Sequence, residues 1–301
     1  MFDNFSTGFR EFTTGAEVIE GDFTKIGELE NVFNQNKIDV VILLAAKIAV
    51  GESVLQPINY YKNNVVGAIN TLSCIQKYNV PKLIFSSTAA TYGLGRGKPL
   101  KETDDQKPIN PYGYGKLMVE NIIKDLAKIH SFKYVIFRYF NVAGASDSLK
   151  IGYLTKNQSK VNHIIPAISS SYFNLTQPLK VFGNDYNTAD GTCVRDYIHV
   201  CDLARAHIEA VSYLDNHDSN IFNIGSKKGY SVLEIINAFE KANNIEIKYH
   251  LSNRREGDPD YLVADSTKIA EEMNFHVQFD IEDIAKSEFE WRREVINKLN
   301  K

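Results

Sequence analysis

The sequence predicts an α/β fold: a parallel sheet covered on both faces by helices, followed by a smaller α/β domain. Three observations predict it. Short apolar runs alternate with helix-period patterns through the first half of the 301 residues. The run at residues 40–46 is almost continuously apolar, as a strand buried on both faces requires. The second half keeps both kinds of signal in a less regular order.

In chain order, residues 18–20 read as a strand and 26–33 as part of a helix. The buried strand at 40–46 follows, then a long amphipathic helical segment over 58–78. Next come a strand at 82–86, a helix over 112–130 and a strand at 134–137. In the second half, 200–214 and 231–242 read as helices. Ser231 and Glu234 open the latter with the spacing of a capping box. Short strands are expected at 179–182, 221–224 and 245–249, and a charged helix at 281–300 whose Lys and Arg form a solvated face. The expected division is a first domain over 1–145, which also receives some later segments, and a second over 146–301. In parallel sheets, ligands bind at the C-terminal ends of the strands. Thr88 and the stretch Asn141-Val142-Ala143-Gly144 lie just past such ends.

Composition removes several function classes. A formal net charge of −3 with 24% charged residues gives no basic face for nucleic acid. Cys74, Cys193 and Cys201 are too few and too scattered for a disulfide framework or a Cys-rich zinc site, so reduced thiols in the cytoplasm are expected. The start, Met-Phe-Asp-Asn-Phe-Ser, has neither a basic lead nor an apolar signal core, and no apolar run is long enough for a membrane.

The chemistry concentrates in Asn110-Pro111-Tyr112-Gly113-Tyr114-Gly115-Lys116, with Ser86-Ser87-Thr88 upstream. A Tyr four residues before a Lys shares its helix face, so the ammonium can stabilise a phenolate. Such a phenolate suits removal of an alcohol proton while hydride leaves the same carbon. Spacing alone is weak: with 16 Tyr, about one such pair is expected by chance. A second copy, Tyr78 and Lys82, contains Pro81, which opposes a continuous helical turn. Only the Tyr112 copy sits at a plausible helix start.

Taken together, the segments resemble the UDP-glucose 4-epimerases of the extended short-chain dehydrogenase/reductase family. The resemblance rests on Asp3-Asn4-Phe5-Ser6-Thr7-Gly8, Gly21-Asp22-Phe23, Ala49-Val50-Gly51-Glu52-Ser53-Val54 and Tyr60-Tyr61-Lys62-Asn63-Asn64. It continues through Arg138-Tyr139-Phe140-Asn141-Val142-Ala143-Gly144 and Phe182-Gly183-Asn184-Asp185-Tyr186. The most specific stretch is Asp190-Gly191-Thr192-Cys193-Val194-Arg195-Asp196-Tyr197-Ile198-His199-Val200. It implies a Rossmann-like doubly wound sheet, NAD as a tightly held cofactor, a UDP-sugar substrate and a homodimer pairing two long helices of each subunit. Tyr112 would be the base on the sugar 4-hydroxyl, Lys116 would lower its pKa and hold the nicotinamide ribose, and Thr88 would bond the same hydroxyl. Cofactor contacts would include Asp3, Asn4, Asp22, Phe23, Leu44, Ala45, Ala46, Asn63 and Phe140. Arg195 and Arg255 would clamp the diphosphate and Asp258 the uridine ribose. Asn141, His163, Ile164, Val181 and Phe182 would line the substrate site. Leu262 falls near a position that limits sugar size and leaves N-acetylated sugars open; the preferred sugar, a pentose included, stays open as well.

Rival readings are weaker. The related dehydratases carry an Asp-Glu pair directly after the Thr, where this chain has Ala89 and Ala90, which carry no proton. Asp3 beside a ribose 2′-hydroxyl would repel NADP. His199, His207 and Asp202 invite a metal, but His199 belongs to the epimerase-like motif and the chemistry needs none. Gly93-x-Gly95-x-Gly97-Lys98 is followed by Pro99 where a phosphate loop needs Ser or Thr, so it reads as a flexible loop. The N-terminus departs from the pattern. A Gly-rich phosphate loop belongs roughly 20 residues before the ribose acid, and in this chain that acid is residue 3. The expectation is an N-terminally truncated sheet with an unpaired strand edge, weak NAD binding by the 301 residues as written, and an inactive relative as the alternative.

Overall fold

In the computed structural model, which describes residues 1–156, 161, 163–255 and 257–299, the apolar runs around 84 and 136 form the paired centre of a parallel sheet. Its strand order is Val41–Leu43, Lys82–Thr88, Lys133–Tyr139, Asn220–Ile224. The first three run parallel, and their register sets Thr88 beside Tyr139. Leu83 through Thr88 are all buried, because helices cover both faces of this strand. Phe2–Asp3 and Ile19–Glu20 form a separate parallel pair. This is the mixed α/β, Rossmann-like arrangement that the alternating pattern predicts. The core joins Leu83, Phe85 and Ile136 of the sheet to Leu29 and Phe33 of the helix Ile26–Gln35 and to Val119 and Ile123 of the helix Pro111–Ala127.

The chain divides into two units that interleave along it. One comprises Met1–Gly93, Glu102–Tyr139 and His207–Asn223, the other Leu94–Lys101, Phe140–Ala206 and Ile224–Lys301. In the second unit, Val194–His199 is the hub strand. It pairs antiparallel with Gly229–Ser231 and parallel with Tyr261–Leu262 and Asn141–Ala143. Leu179–Phe182 pairs in parallel with Tyr249–Ser252. Ile165, Ile168, Ile235, Phe239, Ile284 and Phe289 fill the core of this unit. The helix Val232–Asn243 begins with both halves of the capping box between Ser231 and Glu234.

Four elements differ from expectation. Only Val41–Leu43 of the 40–46 run is strand, and it is not buried on both faces: Ile42 is 43% and Leu44 58% exposed. It lies at the sheet edge, with a single neighbouring strand among the described residues to cover it. The amphipathic 58–78 segment is not one regular helix but Pro57–Tyr60, a π-helical turn Tyr61–Val66, and Gly67–Lys77. π-turns of this kind cluster at functional sites. The strand expected at 245–249 is Tyr249–Ser252, because Asn244 turns left-handed and the Ile247 N–H is held by Glu240 at the preceding helix end. On the last helix, Ile281–Leu299, Arg292 is not solvated. It is 1% exposed and paired with the equally buried Glu288 at 2.6 Å.

Candidate active site

Two local devices place Tyr112 and Lys116. Asn110 caps the helix, its side chain accepting from the Gly113 N–H at 2.8 Å, and Pro111 supplies the preset first turn. Gly113 allows close approach: a Cβ there would lie 2.6 Å from the Ala90 carbonyl oxygen. That contact brings the helix start against the short 3-10 turn Ala89–Tyr92, which Thr88 caps by accepting from the Ala90 N–H at 3.1 Å. The other Tyr-x3-Lys copy is broken. Tyr78 ends its helix, and Lys82 begins a strand and pairs with Asp215.

Tyr112 is 9% exposed and Lys116 3%. Burial pushes the Tyr112 phenol up, and the Thr88 hydroxyl beside it pulls the other way. Burial also brings the Lys116 amine down to about 7, against the charge of Glu120 one turn along the helix. In this state the amine donates to the Ser86 carbonyl at 2.6 Å and lies 4.9 Å from the Phe85 ring centre. Desolvation thus outweighs the expected effect of lysine on the phenol. Ser86 takes one N–H, and no other acceptor among the described residues takes the rest, which leaves donors for ribose hydroxyls.

Behind this triad lies a network that the sequence reading missed. Arg138 forks onto Glu120 with bonds of 3.1 and 2.8 Å, both residues being essentially inaccessible. It also donates to the Tyr92 hydroxyl at 2.7 Å and the Glu102 carbonyl at 3.0 Å, and Ser87 bonds Glu120. Glu120 lies four residues beyond Lys116, a spacing that signals one shared helix face.

The residues implied for the cofactor occupy the same unit, except Phe140, which is buried in the other. Asp3 Oδ1 accepts from the Phe5 N–H at 2.7 Å, leaving Oδ2 free of any donor among the described residues. Asn4 reaches Asp22 at 3.4 Å, and Asp22 is fixed by the Thr24 N–H and hydroxyl. The Phe23 ring is in the core, packed on Gly67, so its backbone is what it can offer a ligand. Leu44 and Ala45 are exposed and Ala46 half-buried just past the strand end. Asn63 bonds Asn64, whose side chain grips the Lys47 N–H and carbonyl at 2.8 and 2.9 Å. A free Asp3 oxygen and the spare Lys116 donors suit the ribose hydroxyls of a dinucleotide.

Apart from Tyr112 and Thr88, the residues implied for the UDP-sugar belong to the second unit. Arg195 pairs with Asp258 at 3.7 Å, and Arg255 stacks on Phe182 with its guanidinium carbon 4.0 Å from the ring centre. Asn141 donates to the Asp196 carbonyl at 3.0 Å, Val181 is buried beside Phe182, and Leu262 stands opposite Arg195 in register. His163 precedes the helix Ile164–Tyr172 and meets the Tyr153 ring edge-on. One further residue, Arg254, escaped the sequence reading. Arg254 bonds Asp185 at 2.6 Å and covers Tyr186 at 4.0 Å. The Arg254-Arg255 doublet was the available signal. Of the suspected metal ligands, His199 bonds Ser287 and stacks on Phe279, Asp202 accepts from the Gln278 and Phe279 N–H groups, and His207 pairs with the Tyr139 hydroxyl.

Comparison with known proteins decides the family. The family model described as "NAD dependent epimerase/dehydratase family" matches residues 2–225. The chain belongs to that family. It is 42% identical over 292 residues to a UDP-glucose 4-epimerase of Rhizobium leguminosarum bv. trifolii, covering 97% of this chain and 88% of that one. A UDP-glucose 4-epimerase of Lacticaseibacillus casei is 41% identical with the same coverage. Among solved structures, the chain resembles UDP-glucose-4-epimerase from Stenotrophomonas maltophila, with bound NAD and formylated UDP-arabinopyranose. There the TM-score is 0.94 and the identity 32%, over 99% of this chain and 91% of that one. The Bifidobacterium longum UDP-glucose 4-epimerase, in complex with NAD+ and UDP, gives a TM-score of 0.92 at 37% identity over 98% and 91%. Members of this family are NAD-dependent, and the Asp3 and Lys116 donor and acceptor set fits that cofactor.

Proposed function

We propose that this chain is a UDP-glucose 4-epimerase, interconverting UDP-galactose and UDP-glucose by transient oxidation at C4. The observation that carries the reading is the grouping of Tyr112, Lys116 and Thr88 at a parallel strand's C-terminal end, followed directly by Ala89 and Ala90. One base, one hydroxyl and one amine suffice for the proton transfers when a secondary alcohol is oxidised and re-reduced, the hydride being left to the cofactor. Elimination of water would need a second acid–base pair, which the alanines do not provide.

Tyr112 takes the proton of the sugar 4-hydroxyl and later returns it, so the protein ends each cycle unchanged. Thr88 holds that hydroxyl toward the phenol. Lys116, once a ligand's oxygens share its hydrogens, gains charge and favours the phenolate. Bound NAD supplies the reversible acceptance of hydride at C4. Arg195 and Arg255 present guanidinium forks to the diphosphate and Asp258 an acceptor to the ribose. The reading is supported further by the 4-epimerase names of relatives near 40% identity.

The same reading includes a homodimer. Leu55, Ile58, Val66, Ile69, Tyr114 and Met118, on the helical segments that carry or flank the site residues, are exposed apolar side chains that a second copy would cover. A cytoplasmic location is proposed with it. All three cysteines are free thiols, and no helix among the described residues is long and apolar enough to cross a membrane.

The test is direct conversion. With NAD supplied, UDP-galactose is expected to yield UDP-glucose alone. A 6-deoxy-4-keto sugar as product would move the chain to the dehydratases, and no product from correctly folded, NAD-loaded protein would defeat the proposal.

A further inference from the structure

Tyr186 is 4% exposed, and its hydroxyl has no hydrogen-bond partner among the described residues. A buried phenol almost always finds one, so an orphan of this kind calls for a cause. The ring is clamped. The Arg254 guanidinium carbon lies 4.0 Å over it, and a Cβ on Gly183 would come within 2.4 Å of its edge. The backbone is fixed as well, its N–H donating to the Gly191 carbonyl at 2.9 Å and its carbonyl accepting from Thr188 at 2.8 Å. Asp258, Cys193 and Arg195 are among the groups whose charge acts on the phenol. Two of these three are the groups assigned to the ribose and diphosphate of the substrate.

We propose that Tyr186 is a ligand-binding residue of the nucleotide site, its hydroxyl donating to an oxygen of the bound nucleoside diphosphate. The inference rests on the UDP-sugar reading and adds a residue to it. The hydroxyl is buried, but its charged neighbours Asp258 and Arg195 are loosely held. Asp258 is held to Arg195 only by a 3.7 Å pair, and its side chain is 37% exposed. When ribose and phosphate oxygens draw these two side chains, the hydroxyl meets a ligand oxygen while its backbone bonds hold the ring in place. Burial pushes the phenol up, so it remains a protonated donor at neutral pH. A donor already desolvated and unpaired in the folded chain gains the bond to a ligand without incurring its own desolvation again, so the bond contributes more to affinity than an ordinary one.

The test is Tyr186→Phe in the full chain, with UDP itself as the probe. Calorimetric titration is expected to show Kd for UDP raised about three- to tenfold. Thermal denaturation without UDP is expected to show an unchanged or higher Tm, because the variant loses only an unpaired hydroxyl. Equal UDP affinity in variant and wild type would overturn the inference. So would a lower ligand-free Tm, which would mean the hydroxyl is bonded within the protein. Failure of the wild-type chain to bind UDP at all would instead defeat the functional reading, and the inference with it.

Discussion

Lys116 is held at a cost that can be measured. Its amine is 3% exposed, with a pKa of about 7 against 10.5 for an ordinary lysine. At about 1.4 kcal/mol per pH unit, that gap sets a ceiling of about 5 kcal/mol on the penalty for burying the charged form. Replacing Lys116 by Met removes the charge but also the 2.6 Å bond to the Ser86 carbonyl, which offsets about 1 kcal/mol. With relaxation around the amine, a gain of about 2–3 kcal/mol at pH 7 is expected. The pH dependence carries a definite sign. Below pH 7 both folded and unfolded chains hold the proton, and the penalty is constant. Between pH 7 and 10.5 the unfolded chain holds a proton that the folded chain releases, so wild-type stability rises with pH. The advantage of the variant should therefore shrink to under about 1 kcal/mol by pH 10. Urea denaturation of both proteins at pH 6, 7, 8, 9 and 10, without ligands, measures this. A variant no more stable than wild type at pH 7, or an advantage that does not change between pH 7 and 10, would refute the reasoning.

Other outcomes follow from the same geometry. Tyr112→Phe should lower epimerisation by about 10²–10⁴-fold while sparing UDP binding; near-normal turnover would remove Tyr112 as the base. Arg138→Met leaves the inaccessible Glu120 carboxylate unpaired and should cost about 3–5 kcal/mol in urea denaturation. The double variant Arg138→Met/Glu120→Leu should recover most of that loss, and a loss that stays the same in the double variant would show that the ion pair is not the source. Asp258→Asn removes the carboxylate that draws on Arg195 and should weaken UDP binding by about threefold or more; equal affinity would take Asp258 out of the nucleotide site.

Much of this was legible from local pattern. The capping box at Ser231, the Asn110-Pro111 helix start and the apolar runs around 84 and 136 are short-range signals, and each element formed where its residues called for it. The 40–46 run shows the limit. Its composition specifies an extended apolar segment, but burial depends on which strands lie beside it, and that is a property of the sheet. The Glu120–Arg138 network was invisible for a related reason: its members come from separate stretches of chain and meet only through tertiary packing. Arg292 read as a surface charge because its partner, Glu288, has the spacing of an ordinary exposed helical pair, and nothing local says that the face is buried. The Tyr112 phenol was expected to be eased downward by Lys116. Sequence spacing supplies the neighbour but not the desolvation, and in the folded chain burial sets the direction for both groups.

The most direct test of the central claim follows the C4 hydrogen itself. UDP-galactose carrying deuterium at C4 would be incubated with the NAD-loaded protein in ordinary water, and the UDP-glucose formed would be analysed by mass spectrometry and proton NMR. Transient oxidation within one closed site predicts that deuterium stays at C4 through inversion. Deuterium lost to solvent would contradict removal and return of hydride at C4, and with it the catalytic roles of Tyr112, Thr88 and Lys116.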